Sequence, residues 1–122
     1  MAKFLNDDVL DAGHDEIRDN ANLLCVCSAQ PTTRAEAAST YALATVSIDS
    51  GDMTKADGFA SGRKLTIAEQ LNVPITTGGT ATHVAIVSNT VLYAVVTIVS
   101  QALVLGNLVN IPTWTITFPD PI

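Results

Sequence analysis

The chain has 122 residues, 48% of them hydrophobic, with twelve acidic and six basic side chains and a formal net charge of −6. That length supports one hydrophobic core rather than two, and that apolar fraction excludes a disordered tail, which combines low hydrophobicity with high charge. The acidic balance repels a polyanion at long range, so nucleic acid is not an expected partner.

The first element is a helix. Asn6 or Asp7 is placed to cap it, and Asp7, Asp8 and Asp11 suit the positive end of its dipole. Leu5, Val9, Leu10 and Ile17 recur at helical spacing. Gly13 weakens the helix by on the order of 1 kcal/mol relative to Ala, so the helix is expected either continuous or broken near Gly13, with Asp15, Glu16, Arg18 and Asp19 in solvent. Residues 1–21 therefore read as an N-terminal helix or arm, and 22–122 as a single β-rich domain.

Leu23 to Cys27 is a short apolar run that reads as a strand, stopped by Pro31. Thr33 to Ser39 suits one helical turn, and Tyr41 to Ile48 a second strand. Ser50 to Gly62, with three glycines and no sustained period, reads as the principal loop. Arg63 to Ile67 alternates, with Leu65 and Ile67 inward and Lys64 and Thr66 outward. Pro74 and Gly78-Gly79 then close an irregular stretch. Thr80 to Val87 and Thr90 to Ser100 form a hairpin about Ser88-Asn89. Both faces of Val91 to Val99 are apolar, which requires cover on both sides. After a turn at Gly106-Asn107, Val109 to Phe118 reads as a final strand with a switch at Pro112, Trp114, Ile116 and Phe118 facing one way and the intervening threonines the other. The expected fold class is mainly β, an antiparallel β-sandwich or barrel-like domain with a short N-terminal helix.

From Gln70 to Pro119 there is no Asp, Glu, Lys or Arg. An isolated domain carries charge on its outer face for solubility, so much of this half is expected to face something other than water. Val84 to Val109 is long enough to suggest a membrane span, but it is interrupted by Ser88-Asn89 and Gly106-Asn107, lacks flanking Lys or Arg, and is rich in β-branched residues. No membrane partner is expected.

Candidate chemistry is sparse. Cys25 and Cys27, on one strand, have Cα atoms about 6.6 Å apart, near the limit for a disulfide, so none is expected. The acidic run from Asp7 to Asp11, where a signal peptide would be apolar, points to synthesis in a reducing cytoplasm. With only His14 and His83 in addition, the cysteines do not complete a zinc set and read as small buried hydrophobes. His83 shares a face with Ala81, Ala85 and Val87 and lacks a nucleophile motif. Asp49, Asp52 and Asp57 lack calcium-loop spacing and read as turn formers. No catalytic residue, metal or cofactor is expected. Lys55, Arg63 and Lys64 form the local basic cluster and serve either as a guarded strand edge or as contacts for an acidic partner surface.

Several segments carry a family resemblance. They are Asn6 to Asp11 with Ile17 to Ala21, Leu24 to Pro31, Asp57-Gly58, Ser61 to Ile67, Gly79 to Ala85, and Gly106-Asn107 ahead of Ile111 to Trp114. Across nearly its full length the chain resembles the small virion structural proteins of tailed bacteriophages, most of all the head decoration or cement proteins. The resemblance implies a protein at the capsid surface of the virion, made in the bacterial host cytoplasm. It implies stabilisation of the shell by bridging major capsid protein subunits, self-association as a dimer or trimer, and no enzyme activity. A tail or neck component, or a carbohydrate-binding β-sandwich module, is the alternative.

Overall fold

The computed structural model describes residues 7–57 and 62–118. Asn6, Leu5, Gly58 and the side chains of residues 7–10, 57 and 118 lie outside that description. The fold is mainly β, with antiparallel sheets and one N-terminal helix, α1 (Asp7–Asn20). Nine strands follow: β1 (Leu23–Cys27), β2 (Ala42–Ser47), β3 (Met53–Asp57), β4 (Arg63–Ile67), β5 (Gln70–Pro74), β6 (Gly79–Val87), β7 (Leu92–Leu103), β8 (Leu108–Ile111) and β9 (Trp114–Phe118). They form a four-stranded sheet in the order β2-β1-β6-β7, a three-stranded sheet β3-β4-β9 and a ribbon β5-β8. The described strands do not close into a barrel.

Alternation along β1 organises the packing. Leu24 and Val26 point into the main core, shared with Ile17 of α1, Ala21 just beyond it, Leu65 and Ile67 of β4, and Val84 and Ile86 of β6. Cys25 and Cys27 point the other way, into a second cluster with Ala37, Ala85 and Val87. The segment between β1 and β2 covers that outer face. It is closed by Ser28 N–H donating to the Tyr41 carbonyl at 3.0 Å and wound into a π-turn by Tyr41 N–H donating to Glu36 O at 2.8 Å. Both faces of the sheet are thus covered along β1 and β6. β7, whose doubly apolar pattern predicted cover on both sides, is instead half-buried to exposed from Leu92 to Ala102, because it is the outermost strand of its sheet and β6 is its one neighbour among the described residues.

Several expectations need correction. Gly13 does not break α1, because the helix is tied along its length to the three-stranded sheet. Arg63 Nε donates to Asp11 at 2.9 Å, Lys55 Nζ to Asp15 at 2.6 Å, and Arg18 Nε to the Met53 carbonyl at 3.3 Å. These tertiary contacts outweigh a propensity cost of about 1 kcal/mol, and they take Asp15 and Arg18 out of open solvent. The expected principal loop contains β3, preceded by a short 3-10 turn in which Asp49 and Asp52 cap each other's backbone. Its strand pairs Met53 with Ile67 and Lys55 with Leu65. β5, read as irregular, pairs with β8, its register slipped around Asn72, whose φ is 56° and whose N–H donates to Asn110 Oδ1 at 2.8 Å. Asparagine tolerates that left-handed backbone better than most residues.

The switch at Pro112 is larger than a kink. β8 ends at Ile111 against β5, and the chain restarts at Trp114 against β4, so one sequence run serves two sheets. The β6-β7 hairpin turns over Ser88 to Val91, where the Ser88 hydroxyl accepts from the N–H groups of Thr90 and Val91 at 3.2 and 3.0 Å. At the next turn Gly106 adopts φ 93°, which suits a residue without Cβ.

His14 on α1 is fully buried. Burial, the largest influence, holds its pKa below the ordinary 6.5, while the neighbouring Asp11 carboxylate opposes that shift. The unfolded chain therefore binds a proton that the folded chain refuses, and stability falls as pH drops below 6.5. The hydrogen bond from Arg63 holds Asp11 below 3.8, so its contribution persists above that value and is lost only in stronger acid. Urea midpoints measured from pH 7.5 to 5 are expected to decline in the parent and to flatten in His14→Leu; an equal slope in both would contradict a buried neutral imidazole.

Candidate protein-binding surface

The inner face of the three-stranded sheet carries Lys55, Arg63 and Leu65, and the outer face Thr54, Lys64, Thr66, Thr115 and Thr117, as the registers of β3, β4 and β9 require. Of the basic residues read as partner contacts, Lys55 and Arg63 therefore turn toward α1 and its carboxylates. Lys64 sits on the opposite, threonine-rich face, across from Ala56 and Thr117. The structure does not gather the three into one basic patch.

The residues with reactive side chains do not assemble into a reactive site. Burial pushes the Cys25 and Cys27 thiols up to about 12 and about 11, and both are free thiols, which suits apolar packing and not nucleophilic chemistry. His83 lies across from Cys27 and Thr97, and its Nδ1 shares a 2.8 Å hydrogen bond with the Thr82 hydroxyl. It does not share a face with Ala81, contrary to strict alternation. The pairing slips between Ala81 and His83, turning Ala81 into the main core while Ala85 and Val87 face the outer cluster. Among the described residues no group of three His, Cys, Asp or Glu side chains converges as a metal site would require.

What the structure does assemble is apolar surface. Among the described residues the exposed large hydrophobic side chains are Leu71, Val91, Val99, Val104, Leu105 and Leu108, and all six fall within the charge-free stretch. Single exposed apolar residues are ordinary, whereas several contributed by one uncharged half mark an interaction surface. Val104, Leu105 and Leu108 flank the turn from β7 to β8. The Ile75 N–H donates to the Asn107 carbonyl at 3.0 Å and the Gly106 N–H to the Ile75 carbonyl at 3.3 Å, anchoring that turn to the segment after β5.

Beside this surface lies a cleft of about 490 Å³. Its floor is one cross-strand row, Val26, Val84 and Val96, and its far wall is Val109, Ile111 and Trp114. Thr97, Gln101 and Asn110 add polar groups to the lining, and none of the described lining residues is charged. The Trp114 indole N–H is buried and makes no hydrogen bond to the described residues. The sequence pattern pointed Trp114 inward but gave no sign of a gap, because alternation specifies a face and not how closely the facing layer approaches.

No protein-family model, curated protein or solved structure matches this chain.

Trp114→Phe removes a donor that has no acceptor and keeps the aromatic body, so it is expected to change stability by less than about 1 kcal/mol, against ~3 kcal/mol lost in Trp114→Ala. Urea denaturation of both variants checks this; a phenylalanine variant as damaged as the alanine variant would mean that the indole N–H is satisfied.

Proposed function

We propose that this chain is a non-enzymatic structural protein of a phage virion, which binds the outside of the head and stabilises it by bridging major capsid protein subunits. The observation that carries the reading is that, among the described residues, the exposed large hydrophobic side chains all fall within the uncharged stretch from Gln70 to Pro119. A cementing protein needs an apolar contact surface on the order of 800 Å² per partner. The β7-β8 turn with Leu71 and the neighbouring cleft supplies apolar area toward it.

The rest of the fold suits that role. Ion pairs tie α1 to the three-stranded sheet, and antiparallel ladders hold the uncharged half, so the contact side chains are mounted on ordered backbone. Preorganised surfaces lose less entropy on docking than surfaces that must order first. The sequence resemblance to head decoration proteins is the ground for naming the partner, and the buried thiols, pushed up to about 12 and about 11, support a role without chemistry.

Because the contact surface lacks fixed charge, binding depends weakly on salt. In co-sedimentation with assembled phage shells, the chain is expected to pellet with them at both low and about 0.5 M salt. Leu105→Glu, at a side chain already 64% exposed, should fold normally and bind at least tenfold more weakly. Failure to bind any shell, or binding abolished by salt and indifferent to Leu105, would sink the reading.

A further inference from the structure

We propose that two copies of this chain pair through the open edge of β7, antiparallel and about a two-fold axis near Val99, joining their four-stranded sheets into one. Among the described residues β7 is laddered to β6 alone, and its other edge is unpaired. By contrast, the outer edge of β2 is engaged: Ala44 bridges to Ile75, and the N–H groups of Thr76 and Thr77 donate to the Leu43 carbonyl. A bare edge is a row of unpaired N–H and C=O groups, which monomeric proteins blunt with lysine, proline, inward charge or a bulge. From Leu92 to Leu103 the strand contains no lysine, proline or charge, and its register irregularities against β6 leave the rest of the edge uncovered.

The occupant is a second copy because β7 has the properties of the strand that its own edge would accept. It is extended, uncharged and apolar at most positions. Antiparallel pairing of a strand with itself is reciprocal, each contact of residue i with j being repeated as j with i, which is what a two-fold interface requires. Such pairing uses the edge once per chain and closes at two.

Two observations set the axis near Val99. Ala81 pairs with Gln101 and His83 with Thr97, so Ile98, Val99 and Ser100 stand opposite Thr82 alone, and this irregularity turns Val99 out to 91% exposure. The cleft opens along the same stretch of β7. Across the axis the two Val99 side chains meet each other, beside the mouths of the two clefts. The beginning of β7 is less suitable, since the Tyr93 hydroxyl donates to Glu16 of the acidic helix at 3.3 Å. Two chains of formal charge −6 repel each other least where neither carries fixed charge, and that is the Val99 end. A strand of this length is about 40 Å long and covers on the order of half the ~800 Å² per partner of a stable interface. The exposed Val104 and Leu105 that follow β7 add to it.

Sedimentation equilibrium of the full chain is expected to give twice 12.8 kDa. Val99→Glu should return it to 12.8 kDa with an unchanged circular dichroism spectrum, while Leu71→Glu, on β5, should remain a dimer. Val99→Cys adds the one exposed thiol to a chain whose own cysteines are buried, and mild oxidation should link chains in pairs and no further. A monomer at all concentrations, a trimer, a dimer indifferent to Val99→Glu, or a Val99→Cys dimer that resists cross-linking would each overturn the proposal. A chain that gains a strand on β7 only from another protein would do so as well. Pairing does not rest on the capsid reading: a Val99-dependent dimer without shell binding refutes the latter alone, and a shell-binding monomer refutes pairing alone.

Discussion

The burial of β1 on both faces is the constraint on which the rest of this structure depends. Leu24, Cys25, Val26 and Cys27 are all essentially inaccessible to water, and the strand is laddered to β2 on one side and β6 on the other. A strand in that position leaves its backbone groups no partner other than neighbouring strands, and its side chains need cover above and below. The main core supplies one cover and the segment ending in the π-turn the other. The neutral, high-pKa thiols follow from the same placement, since desolvation disfavours a thiolate.

Around that strand the chain separates its charges from its apolar surface. The carboxylates of α1 meet Arg63 and Lys55 beneath the helix, where a partly buried pair is screened less than one in open water. The uncharged half supplies β5 to β9, and Val104, Leu105 and Leu108 stand exposed at the β7-β8 turn with Val99 exposed on β7. The proposed shell contact and the proposed pairing of β7 both draw on this uncharged half, at different residues.

Legibility followed the range of the interactions. The limits of β1, the inward pair Leu65 and Ile67 and the interruption at Pro112 come from side-chain alternation and the missing proline donor, which act over a few residues. β3 was hidden because its run, Met53 to Asp57, mixes a lysine and an aspartate into a short segment after a glycine; it is a strand because β4 pairs with it and Lys55 and Met53 meet α1. β5 was hidden by Asn72 and Pro74, which weaken a strand signal, and exists because β8 lies alongside. The cleft beside Trp114 has no local signature, since it depends on how far the β8-β9 layer stands from the row of Val26, Val84 and Val96.

By itself the sequence determined that this is a mainly β chain with an N-terminal helix, that its cysteines pack and do not bridge, and that its second half lacks charge. Those properties are carried by residue type and by short-range periodicity. Only the tertiary structure decided that Lys55 and Arg63 serve α1, that Ala81 and His83 lie on opposite faces, and that β7 has an open edge with Val99 turned outward. These depend on register and on which strands become neighbours, and such long-range pairings are settled when the sheets pack together.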